Sequence, residues 1–190
     1  MGTARRATRS ERGVTLIESA IATPVVLLLI FGVLEFGLLF KDYLSLANGV
    51  RDGARQASAL GTDVNTDYKV IQSALKRMPA VNVARVKRIV VFKATSADAT
   101  VPSSCRSGPV TNVCNSYSGS DFTRPESQFN GGANAPDRFW KPASRKDRLS
   151  DPPDYVGVWI EVRHEAATGL LPLTKDLREE VVMRIEPSRM

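Results

Sequence analysis

Glu18 is a carboxylate set inside an apolar run that extends from Val14 to Phe40, where an ionised side chain is costly unless something answers its charge. Insertion scales put a comparable charged residue at about 2.5–3.5 kcal/mol at the bilayer centre, so a glutamate kept there marks a partner or a function. A second carboxylate, Glu35, follows 17 positions later. On a helix that spacing is about 25 Å, which lets the two groups sit near opposite interfaces instead of the midplane. Gly13 stands five residues ahead of Glu18, and Val14 opens the apolar run.

Elsewhere the sequence offers little chemistry. His164 is the single histidine and falls at the end of a predicted strand, between Arg163 and Glu165, so it reads as a surface residue. Glu179 and Glu180 read as a solvated face, not as a general acid and base. No phosphate-binding glycine loop or nucleophile elbow accompanies these groups, and the expectation is a protein without catalysis, cofactor or small-molecule substrate. Two cysteines and one distant histidine do not supply four metal ligands, so no metal is expected. Cys105 and Cys114 instead bracket a Ser, Gly, Pro and Asn-rich stretch and are expected to form a disulfide, contributing about 2–3 kcal/mol by the chain-entropy argument.

The elements that carry these groups follow from composition. Residues 1–13 are basic and without periodicity, and are expected to form a cytoplasmic leader. Residues 14–40 would span about 40 Å as a helix against ~30 Å of bilayer hydrocarbon, and read as a single transmembrane helix. Arg5, Arg6, Arg9 and Arg12 precede it and contribute much of the net charge of +6. They read as a topology signal that holds the amino terminus inside and everything after about Lys41 outside, so nucleic acid is not an expected partner. Pro24 predicts a kink or local unwinding.

Residues 41–61 are expected to continue as a helical stalk. Gly49, Gly53 and Ala57 repeat every four residues on one face and permit close backbone approach, while Arg51 and Arg55 lie on a neighbouring polar face beside Asp52. Gly61 supplies a stop. Residues 62–190 then read as an extracytoplasmic α+β domain, with a helix over 66–78 packed on an antiparallel sheet. Strands are expected at 85–95, 155–164 and 179–186, the second placing Val156, Val158, Ile160 and Val162 on one face. A long irregular insertion, residues 96–154, carries Phe122, Phe129, Phe139 and Trp140, which are expected to pin it to the sheet.

The order of these pieces resembles the TadE-like family, the minor pseudopilins of the tight-adherence (Tad) pilus and secretion system. The resemblance rests on RGVTLIE at Arg12–Glu18, LLLIFGVLEFG at Leu27–Gly37 and NGVRDGAR at Asn48–Arg55, with YVGVWIEV at Tyr155–Val162 only loosely similar. Ser19 departs from the pattern, because many members carry an aromatic there. The resemblance implies a prepilin peptidase cut after Gly13, with Val14 as the new first residue, Glu18 as the fifth and Glu35 as the acidic position ending the membrane segment. It implies the cytoplasmic membrane, the prepilin peptidase and other Tad pilins and assembly components as partners. Glycine at the cut has a simple rationale, since without a Cβ it lets the backbone enter a narrow protease site. The amine freed at Val14 would need a counter-ion in its apolar setting, and Glu18 of a neighbouring subunit supplies one. The competing reading is a signal-anchored envelope binding or sensor protein unrelated to pili.

Overall fold

The computed structural model describes residues 8–148, 152–169 and 174–187, so residues 1–7 of the expected leader lie outside it. The chain is α+β and divides into two compact units, Met1–Leu39 with Ala166–Leu173, and Phe40–Glu165 with Thr174–Met190. A single helix, α1 (Thr8–Leu60), contributes to both.

In the first unit α1 begins at Thr8, within the expected leader. No proline or glycine falls between Thr8 and Arg12, so nothing stops the helix from propagating back from the apolar run. Nor does it unwind at Pro24. The helix is continuous through that residue, and the adjacent Thr23 hydroxyl donates to the Ser19 carbonyl at 2.6 Å. The most apolar 18-residue window has a mean hydropathy of 2.3 and only 6 % of it is buried. That separates it from a core helix and leaves a helix long and apolar enough to cross a membrane once.

In the second unit the remaining part of α1 packs one face on the domain. Leu46, Ala47, Val50, Ala54 and Ala57 form a buried stripe at helical spacing. Gly53 lies against Ala74, Val70 and Val158, which places α1 on both α2 (Thr66–Lys76) and the sheet. The helix ends at Leu60, where Gly61 takes φ +51° and its N–H donates to the Ala57 carbonyl.

Four antiparallel strands follow in the spatial order β2–β1–β3–β4: β1 (Val86–Ala94), β2 (Cys114–Tyr117), β3 (Tyr155–His164) and β4 (Lys175–Arg184). The register pairs Val91 with Val158 and Ile89 with Ile160, and these side chains share the face that α1 and α2 cover. Val90, Phe92, Ala94 and Trp159 belong to the opposite face. They form a second core with Val101 and the Cys105–Cys114 disulfide, the first cysteine carried by the short helix α3 (Ser103–Ser107). Strand β2 and α3 both lie in the expected irregular insertion. Strand β4 starts four residues before the expected Glu179, because its pairing with β3 runs out to His164 opposite Lys175.

Two glycines are set by close approach. A Cβ at Gly49 would lie 2.4 Å from Met78 Cγ and 2.9 Å from the Ala74 carbonyl oxygen; at Gly157 it would lie 2.1 Å from Cζ of the buried Phe92 ring. Gly157→Ala is expected to destabilise the full-length protein in detergent by about 1–3 kcal/mol through overpacking. Gly108→Ala, where nothing lies within 4 Å of the added Cβ, should stay within about 0.5 kcal/mol of wild type. Denaturant titration of the two variants checks the contrast, and equal stability would contradict the packing described.

Candidate processing and assembly site

Gly13 and Val14 sit on the helical surface of α1. Among the described residues, no atom beyond its chain neighbours and the adjoining helix backbone lies within 4 Å of a Cβ built on Gly13, and Val14 is 55 % exposed. Glu18, one turn further, is also exposed and makes no hydrogen bond or ion pair with the described residues. The three groups thus share an open stretch of helix, and nothing around Glu18 within the described residues neutralises its charge.

Glu35 differs. It is fully buried although Val33, Leu34 and Phe36 around it are exposed. Its carboxylate accepts the Ala167 N–H at 3.1 Å, the Thr168 N–H at 2.5 Å and the Thr168 hydroxyl at 2.6 Å, all from the loop between β3 and β4. Expected as the acidic position that ends the membrane segment, it is hydrogen-bonded by the β3–β4 loop of its own chain. Asp42, two turns on, is likewise buried and lies in the second unit. Its Oδ2 accepts from Arg85 Nη1 at 2.8 Å and lies 2.9 Å from His164 Nδ1. His164 is therefore not a surface residue; it is 1 % exposed, and its Nε2 has no hydrogen-bond partner among the described residues. The parity of β3 held this information, since His164 continues the Val158, Ile160, Val162 alternation onto the helix-covered face.

Residues 13–55 match the family model of TadE-like proteins. The chain carries a TadE-like segment. No curated protein and no solved structure matches significantly. The TadE-like segment starts at Gly13, contains Val14, Glu18 and Glu35, and ends at Arg55 within α1. Its last two turns present Arg51 and Arg55 to solvent, where with Asn48, Asp52, Lys76, Arg77 and Pro79 they line an open, mainly cationic groove. Gly49 and Gly53 face inward instead, as does Ala57 just beyond the match.

Past the TadE-like segment, a buried polar network organises the insertion, and sequence reading missed it. Asp67, in the first turn of α2, accepts from Arg145 Nη2 at 2.6 Å, Asn115 Nδ2 at 2.8 Å and the Tyr117 hydroxyl at 2.6 Å. Asn115 Oδ1 in turn accepts the Phe139 and Trp140 N–H groups, and the Arg145 guanidinium lies 4.3 Å above the Trp140 ring. Phe122, Phe129 and Trp140 are buried, with the Phe129 ring in tilted contact with Tyr68 and Tyr117, so these aromatics hold the insertion in place. Burial and the neighbouring Asp67 carboxylate raise the Tyr117 phenol well above its ordinary value of 10.0, keeping it a proton donor.

Asp137 accepts the Gly131 N–H at 3.1 Å and is raised from 3.8, first by burial and then by Asp67, against the opposing Gly131 hydrogen bond. A raised carboxyl binds more protons folded than unfolded, so its contribution to stability is full below the unfolded value and is lost as pH rises through the folded one. Asp137→Asn keeps the acceptor for Gly131 and removes this titration. The unfolding temperature of the variant is expected to gain on wild type as pH rises from about 4 toward neutrality. Parallel curves across that window would contradict the assignment.

Proposed function

We propose that the chain is a minor pseudopilin or pilus-assembly protein of a Tad-type pilus and secretion system, processed after Gly13 by a prepilin peptidase. The observation that carries this reading is the TadE-like match beginning at Gly13, on a helix whose Glu18 has no partner among the described residues. In the assembled state the Val14 amine of one subunit pairs with Glu18 of its neighbour, because either charge alone in an apolar setting is costly. The amino terminus lies in the cytoplasm, α1 anchors the subunit in the cytoplasmic membrane, and the sheet domain is presented outside, in the oxidising setting that suits the Cys105–Cys114 disulfide. The subunit is available for incorporation in a surface pilus. The role is structural and calls on no cofactor and no catalysis.

The test is co-isolation of the full-length protein with Tad pilins from cells carrying a Tad system, comparing wild type with Glu18→Ala at equal membrane abundance. Leaving the amine unpaired costs about 3–5 kcal/mol, so recovery of partners should fall by more than about tenfold. Unchanged recovery would overturn the pairing, and absence of Tad pilins from the wild-type sample would leave an anchored envelope binding or sensor protein.

A further inference from the structure

We infer that the β3–β4 loop at Ala166–Gly169 is a second lipid contact, docked on α1 through Glu35 at the depth of the outer leaflet. The inference rests on α1 crossing a membrane. Glu35 lies six positions before Lys41, about 9 Å along the helix, inside the apolar run. Placing the bilayer surface at Glu35 would leave Phe36 and Phe40, each 60 % exposed, in water. The hydrocarbon boundary therefore lies beyond Glu35, and a bare carboxylate at that depth is costly.

The loop removes that cost. The N–H groups of Ala167 and Thr168 and the Thr168 hydroxyl all donate to the Glu35 carboxylate, so loop backbone and carboxylate occupy one depth. The satisfaction is mutual, since non-helical backbone is tolerated at membrane depth only where protein groups answer its hydrogen bonds. The covered stripe follows helical spacing: Phe31, Gly32 and Leu39 are half-buried beside Glu35, whereas Val33, Leu34 and Phe36 are exposed. The sequence agrees. Ala166 to Thr174 holds no charged residue, although Arg163 and Glu165 precede it and Lys175 and Asp176 follow. Charge stops where the loop starts, as in a segment that meets lipid.

The test uses the full-length protein in phosphatidylcholine vesicles with an environment-sensitive fluorophore on Ala167→Cys, a position whose side chain is exposed and whose N–H survives the substitution. Gly32→Cys reports the membrane helix and Ser127→Cys the exposed insertion; the two native cysteines are disulfide-bonded and unreactive. The label at position 167 should be quenched by doxyl-labelled lipid, and its quenching by aqueous iodide should be several-fold weaker than at position 127. Iodide quenching equal to that at position 127, with position 32 still quenched from the lipid, would overturn the loop contact and leave the membrane helix standing. Iodide access at position 32 as well would remove the membrane reading and the loop contact with it. Adding Glu35→Leu, which keeps the helix apolar, should raise iodide quenching at position 167 several-fold; no change would overturn docking through Glu35.

Discussion

A carboxylate withdrawn from water must find a partner, and this molecule is arranged around four that are placed where water is scarce. Asp67 is met by Arg145, Asn115 and Tyr117, and the insertion folds around that meeting. Asp42 is held between Arg85 and His164 at the helix-covered face of the sheet. Glu35 is answered by the backbone and hydroxyl of the β3–β4 loop. Glu18 alone among these is unanswered within the described residues, and it lies in the apolar half of α1. The same electrostatic demand that closes three sites inside the chain is open at the fourth, which is why the amino-terminal stretch reads as a place where another molecule completes the structure.

One helix serves two solvents. Its early turns expose Leu16, Ile17, Ile21 and Val25, a surface with no use in water, and its later turns bury Leu46, Val50, Ala54 and Ala57 against α2 and the sheet. The TadE-like match runs from the first regime into the second, from Gly13 to Arg55. Small residues carry the change: Gly49 and Gly53 bring α1 close to Ala74, Met78 and Val158, a closeness that larger side chains would block.

What could be read from sequence followed the strength of the periodic signals. The apolar run, the α2 repeat and the alternation along β3 each place a helix or strand correctly, because one face is buried and the pattern says so. Strand β2 is only four residues of mixed polarity, CNSY, and is made a strand by its neighbour β1, not by its own propensity. Asp67, Asn115 and Arg145 belong to no periodic pattern; only their mutual contacts, up to 78 positions apart, make them interior. Glu35 and His164 were more accessible to reasoning. Glu35 falls on the helical stripe that continues through Leu39, Asp42 and Leu46, and His164 on the buried parity of β3.

The central claim is that Gly13 and Glu18 form a processing and assembly signal, and intact-mass analysis of the membrane-extracted protein tests it most directly. Wild type and Gly13→Ala would be expressed with and without a cognate prepilin peptidase, alongside a known substrate as positive control. Loss of the mass of Met1 to Gly13 only when the peptidase and the glycine are both present is the result this account predicts. A wild-type chain that stays uncut while the control substrate is processed would contradict it.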